Sequence, residues 1–436
     1  MKKYVITTAQ MGASVNKPFY DNLKSYCKKE GAELYICPIR GAYKNDVELD
    51  STLINENIIY KNMNLNSNVK VMSYDVVPQQ IDPLTGLIRF TQDDKTTILP
   101  ATKIRMKPVP NSNKKIPKVL LTTGAITQPN YKDNRIGNIA KYDHKYGAVV
   151  VEVLNNKNYH YRHLSANKNG TFYDLGYRYD EKGKHKERPE VMVLGDWHTG
   201  VVDKKVRKAT EDMIQLYKPK NVFIHDFFNA DSINHHNEGK IIERYSTKDI
   251  SLEKELGNLT KELQWFINTC SKDTNIYIVK SNHDEFLNRY LTEGRFVKDI
   301  QNVYLASKLL TASLEGKDPL KHFLETQMKL PNNVFLLDRD QDIKIRGYQL
   351  GNHGDLGANG SRNSLRTQEY ANGKSIIGHS HSPEVFRNLY KVGTSTHLRL
   401  GYNRGYSNWM NTHAMLYKNS QVQLINIING KYKISL

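Results

Sequence analysis

Gly195-Asp196-Trp197-His198-Thr199-Gly200 directly follows Val191-Met192-Val193-Leu194, and this junction decides the fold. A short valine-rich run closed by glycine reads as a buried strand over 191–195. The residues just past it, an aspartate and a histidine two apart, leave an extended segment on one face. Flanking glycines let the backbone approach closely. In sheets with helical crossovers, ligands bind outside the carboxyl ends of the strands.

Working outward, the same junction recurs in order. His225-Asp226-Phe227-Phe228-Asn229 follows a strand expected over 222–225, and Ser281-Asn282-His283-Asp284-Glu285 one over 275–279. Asn352-His353-Gly354-Asp355 closes a strand over 348–353, and Gly378-His379-Ser380-His381 follows one over 374–378. Helical patterns over 204–217 and 252–269 separate the first three, so the region is α/β. Further strands are expected at 384–389, 397–400, 414–417 and 422–428. Carboxylate, imidazole and amide are donors that suit Mn, Fe or Zn better than Ca.

The ordered set resembles the calcineurin-like metallophosphoesterases, whose pattern is GDxHxG, GDxxD, GNHD/E, H, GHxH. The resemblance implies a two-sheet α/β/β/α sandwich. It also implies two divalent metal ions, manganese first with iron or zinc as alternatives. Asp196, His198, Asp226 and His381 would hold one ion; Asp226 would bridge to a second, completed by Asn282, His353 and His379. His283 would be the catalytic general acid, oriented by Asp284, and the reaction an in-line attack on phosphorus by a hydroxide shared between the ions. His225 stands where the pattern has glycine, Ser281 replaces another glycine, and Asn229 or Ala230 falls where a second acid is often found. His225 either crowds the site or supports a ligand from behind.

The chain has 436 residues, which suggests two domains. The charged, aliphatic-free stretch 180–189, ending in Pro189, reads as an exposed linker. The expected division is 1–185, a smaller α/β domain with possible nucleic-acid or oligomer contacts, and 186–436, the catalytic domain. The first part opens as strand, helix (17–30) and strand (33–39), a β-α-β start that favours parallel pairing. Strands at 119–122, 148–154 and 159–164 follow. Cys27, Cys37 and Cys270 have no paired spacing and read as buried thiols in a reducing compartment. No apolar run is long enough to span a bilayer.

The formal charge of +18 favours a polyanionic partner, nucleic acid first. No acid occurs between Lys95 and Lys132, where Lys103, Arg105, Lys107, Lys114, Lys115 and Lys118 cluster. The segment reads as an exposed basic loop, with Lys114 and Lys115 as DNA contacts. Arg362 and Arg366, in the glycine-containing insert after His353, are further phosphate-clamp candidates, or solvated arginines behind a helix cap at Asn363 or Ser361. Val5-Ile6-Thr7-Thr8-Ala9-Gln10, Ala32-Glu33-Leu34, Leu121-Thr122-Thr123-Gly124-Ala125 and Arg399-Leu400-Gly401-Tyr402-Asn403-Arg404-Gly405 resemble the pre-early DNA-transfer, host-DNA-degrading proteins of tailed phages. That resemblance implies manganese-dependent DNA cleavage in the host cytoplasm, homo-oligomeric assembly and a phage or host protein partner. Two other readings stand beside it: a phosphatase or cyclic-nucleotide phosphodiesterase, and a DNA-transfer or interaction protein in which the site matters little.

Overall fold

The computed structural model describes residues 1–112, 116, 118–237, 242, 251–401 and 403–434. Among them the strands form three mixed sheets, of eight, six and ten strands. The eight-stranded sheet opens as the β-α-β pattern requires: Lys2–Gln10 pairs parallel with Ala32–Ile39, and the helix Lys17–Glu30 crosses between them. Asn16 caps that helix by accepting from the Phe19 amide, and Gly31 ends it at φ 61°. Its apolar side (Phe19, Leu23, Tyr26) packs on Val5, Val150 and Phe172 of the sheet.

The six-stranded sheet carries the parallel strands Val191–Val193, Asn221–Ile224, Asn275–Ile278 and Val334–Leu336 side by side. Their side chains alternate between two apolar environments, as a strand buried on both faces must. Met192, Val222, Ile224 and Ile276 face a cluster with Met213, Leu259, Leu287, Leu309 and Leu324 of the covering helices. Val191, Val193 and Phe223 face inward, onto Met106, Leu121, Ile376 and Val385 of the ten-stranded sheet and Ile6, Val149 and Val151 of the eight-stranded one. All three sheets therefore bury one common core.

The ten-stranded sheet takes strands from both sides of residues 185–186. Arg105–Val109 pairs antiparallel with Glu384–Phe386, matching Met106 with Val385. The stretch 180–189 is not an open linker. Tyr177–Asp180 and Gly183–Lys186 form a hairpin at the edge of the eight-stranded sheet, turned at Gly183 (φ 111°). Its charges sit on an edge strand, where they discourage pairing with another chain. The strand expected at 397–400 is absent, and 384–389 is split between Glu384–Phe386 and Leu389–Lys391.

The basic segment is also built differently from a loop open to solvent. Lys103 and Arg105 are each 1 % exposed. Lys103 Nζ donates to the Pro78 carbonyl at 2.7 Å, and Arg105 pairs with buried Asp143. Lys107 pairs with Asp82 at 2.6 Å and Lys118 with Asp94 at 3.3 Å. The counter-charges absent from the local sequence arrive from flanking segments, because a buried cation needs a partner. Lys114 and Lys115 lie outside the described residues. The three cysteines are buried and unpaired, as expected.

His160 and His163 are buried, and burial pushes both imidazoles down to about 4. The unfolded chain protonates them near pH 6.5 while the folded chain does not, so unfolding binds protons and stability falls as the pH falls. The loss begins below pH 6.5 and is complete near pH 4, with a magnitude of roughly 1–3 kcal/mol per group. Urea unfolding at pH 7, 5.5 and 4.5 should show it. His163→Gln should lose less stability across that window than the parent protein; equal losses would remove His163 from the account.

Candidate metal centre

Five chain segments deliver polar residues to one edge of the molecule, each just past a strand. Asp196 and His198 follow Val191–Val193, His225 and Asp226 follow Asn221–Ile224, and Ser281, Asn282 and His283 follow Asn275–Ile278. These strands are parallel, so their carboxyl ends coincide. From the ten-stranded sheet, His353 follows Tyr348–Gln349, while His379 and His381 follow Ser375–Ile377, again a parallel pair.

Asp196, His198, Asp226 and His381 are buried, and one donor atom of each lies within 4.8 Å of the others. This group could hold a metal ion. His198 Nε2 is 2.9 Å from His381 Nε2 and 3.3 Å from Asp226 Oδ2, and His381 Nε2 is 3.3 Å from Asp196 Oδ2. Asp226 Oδ2 also lies 3.3 Å from His353 Nε2. His353 Nε2 and His379 Nδ1 stand 3.1 Å and 3.2 Å from Asn282 Oδ1. All seven expected ligands are thus gathered, with Asp226 between the two halves and His379 on the solvent side.

Two observations fit the donor set to cations. Neither carboxylate oxygen of Asp196 accepts a hydrogen bond, and neither does Asp226 Oδ1, although both residues are buried. Orphaned buried acceptors are rare unless something else satisfies them. In addition His198, Asp226, His379 and His381 all lie at positive φ, from 47° to 71°. That conformation is unfavourable for residues with a Cβ and accumulates at functional sites.

The charges follow from the geometry. Burial and the neighbouring Asp226 charge push Asp196 up to about 7. Burial opposes ionisation of Asp226 too, but His353, His198 and His283 outweigh it and hold Asp226 well below the carboxylate range. Burial likewise disfavours charge on His353, yet Asp226 and Asp196 hold that imidazole up at about 9. Burial and His198 keep His381 well below its ordinary value. The cluster is an acid–imidazole network in which Asp226 and His353 favour each other's charged forms.

His283 is the second residue of the helix Asn282–Thr292, and its ring centroid lies 4.6 Å from that of His198. Asp284 does not orient it. The Asp284 Oδ2 accepts from the Ser281 amide at 2.8 Å, closing a capping box, and Oδ1 has no hydrogen-bond partner. The position three residues into a helix turns its carboxylate back to the cap, away from its neighbour. His283 Nδ1 instead lies 2.7 Å from the carbonyl of Asn229, to which it donates. Asn229 Oδ1 is 3.1 Å from His198 Nδ1, and its amide donates to Asp231 at 2.6 Å. One residue thus orients two histidines, one through its backbone and one through its side chain. The motif spacing marked position 229 only as lacking an acid. Behind the centre, buried His413 Nδ1 accepts from the Gly195 amide at 2.9 Å and Nε2 meets Thr210 Oγ1 at 2.8 Å. No local motif distinguishes His413.

Arg362 and Arg366 are exposed on the segment after His353, and Asn363 folds it back by donating to the Gly354 carbonyl at 2.9 Å. The helix Leu365–Asn372 is capped by Ser364, not by Asn363 or Ser361. Neither arginine bonds to the candidate metal-binding cluster in the described geometry.

The chain is similar to Protein A1 of Escherichia phage T5. The two are 28% identical over 464 residues, spanning 99% of this chain and 83% of Protein A1. The likeness to a phage protein thus runs over nearly the whole chain. No family model and no solved structure matches the chain. Among the described residues, no helix is long and apolar enough to cross a membrane.

Gly378 gives a sharp test of the cradle. A Cβ there would lie 2.2 Å from Asp196 Oδ1 and 3.0 Å from the His225 ring. Gly378→Ala should displace the Asp196 carboxylate and weaken metal binding by roughly tenfold or more, the scale of supporting-residue losses. Far-UV circular dichroism should be unchanged. Metal content equal to that of the parent protein would contradict this geometry.

Proposed function

We propose that the protein is a metal-dependent phosphodiesterase of the calcineurin-like class that cleaves DNA, using two divalent cations, manganese first. The observation that carries this reading is the gathering of all seven donors at one strand edge with Asp226 shared between the halves. Asp196, His198, Asp226 and His381 would hold one ion, and Asp226, Asn282, His353 and His379 the other. When bound, such ions neutralise phosphoryl charge and lower the pKa of water toward neutrality.

The chain's own residues supply the rest. The Asn229 carbonyl keeps a proton on His283 Nδ1, which leaves Nε2 for the oxygen of the leaving group. Burial holds His283 down at about 4, so it is neutral until a phosphate's negative charge stands beside it and stabilises the imidazolium. The floor of buried Asp196, His198, Asp226 and His353 limits water, and the exposed His379 side leaves an entrance.

A nucleic-acid substrate is supported by the +18 charge and by a tether between the basic segment and the site. Asn111 bridges Ser407, and Arg399 donates to the Asn111 carbonyl at 3.4 Å. Two residues past Ser407, Trp409 packs edge-on with the His381 ring, centroids 4.2 Å apart. Asn111, just past the strand Arg105–Val109, is therefore tied to the segment that reaches the rim of the centre, although the described lysines and arginine of the basic segment are buried or paired. The similarity to a phage protein fits action in the host cytoplasm.

Purified protein with Mn²⁺ should cleave supercoiled plasmid and linear duplex as well as bis(p-nitrophenyl) phosphate, and EDTA should abolish all three activities. Cleavage of the small ester with every DNA intact would favour a phosphatase-type enzyme instead.

A further inference from the structure

We infer that His225 is a positioning residue that holds His353 in the tautomer and orientation needed to ligate the second cation, an inference that rests on the two-cation reading above. The His353 ring has two distinct sides. Its Nε2 faces the cradle, 3.1 Å from Asn282 Oδ1 and 3.3 Å from Asp226 Oδ2. Its Nδ1 faces away, 3.4 Å from the Nδ1 of His225, and both rings are fully buried. An imidazole that offers its Nε2 lone pair to a cation carries its proton on Nδ1, and that N–H needs an acceptor. Among the described residues His225 Nδ1 stands in that place.

The arrangement fixes the proton positions along the pair. His353 Nδ1–H donates to His225 Nδ1, so the His225 proton must sit on Nε2. That Nε2 has no hydrogen-bond partner. Burying an unpaired N–H is unfavourable, so His225 is a poor choice for mere filling, and an aliphatic side chain would pack there without it. The contact with His353 is what an aliphatic side chain could not replace. Placement is set from both sides: His225 follows the strand Asn221–Ile224, and the glycine at 378 leaves room for its ring, since a Cβ there would lie 3.0 Å from His225 Cβ and Cγ. The imidazole at 225 neither crowds the metal donors nor joins them, and it supports His353 from behind.

The test separates an acceptor from a space filler. His225→Leu keeps much of the volume but has no lone pair, whereas His225→Gln offers Oε1 to the His353 N–H. Calorimetric titration of the full chain with Mn²⁺ should show the second equivalent bound 10–100-fold more weakly in His225→Leu, with the first little changed. His225→Gln should recover most of that affinity, and thermal melts without metal should show both variants folded. Unchanged affinity in His225→Leu would overturn the inference. So would equal weakening in both variants, which would mark a packing role. A parent protein that takes up no second ion would instead overturn the two-cation reading beneath it, an outcome seen before any variant is made.

Discussion

Asp226→Asn should lose metal from both halves of the centre. The Asp226 carboxylate is the group shared between them, with Oδ2 3.3 Å from His198 Nε2 and 3.3 Å from His353 Nε2. Asparagine keeps the shape and removes the charge, so no cavity complicates the result. We expect each ion to bind at least ~10–100-fold more weakly, the range already seen when only supporting residues of a metal site are lost. Turnover of a phosphodiester should fall by ~10²–10³ or more, as when a group that stabilises transition-state charge is deleted. His381→Ala should differ, weakening mainly the Asp196 side, because His381 stands 3.3 Å from Asp196 and 2.9 Å from His198. Metal analysis after gel filtration decides it. Two tightly held ions per chain in Asp226→Asn would sink the assignment of the bridge.

The second large effect concerns His283. Its Nδ1 is held by the Asn229 carbonyl and it makes no described bond to the seven donors, so His283→Gln should leave metal content intact. If its Nε2 carries the proton to the leaving oxygen, turnover on DNA should drop by ~10²–10⁴ with binding retained. Esters with acidic leaving groups should suffer less, because their departing oxygen needs little protonation. The comparison is therefore between DNA and a p-nitrophenyl ester of the same variant. Equal losses on both would remove the general-acid role, and loss of metal would place His283 among the ligands. Asp284→Asn bears on the same point from the other side. Its carboxylate caps a helix by accepting from the Ser281 amide, so the substitution should affect stability more than the leaving-group dependence.

The part of the centre legible in the sequence is the part whose geometry is local. Asp196 with His198 and His379 with His381 each sit on one short turn after a strand, so residue type and spacing alone placed them together. The helices 17–30, 204–217 and 252–269 were legible for the same reason, since apolar periodicity and capping residues lie within the segment itself. The orienting role that the resemblance implies for Asp284 is not met in the structure, where the Ser281 amide takes its carboxylate. At the third position of a helix its carboxylate turns back to its own cap.

What the amino-acid sequence marked by itself was a candidate set: which side chains could bind a cation, in which order, and at the ends of which strands. Only the tertiary structure decided which of the remaining residues touch that set. Asn229 orients His198 and His283 because a turn at Ala230 (φ 60°) brings its carbonyl and side chain to different rings. Lys103 and Arg105 read as an exposed cationic track because their partners, the Pro78 carbonyl and Asp143, are distant in sequence. The pairing of Arg105–Val109 with Glu384–Phe386, which joins the two halves of the chain in one sheet, is likewise a contact between segments far apart. Backbone pairing between strands carries no residue code. Local pattern therefore states that each strand exists and which face is apolar, while the choice of neighbour is made only when all three sheets close on the same core.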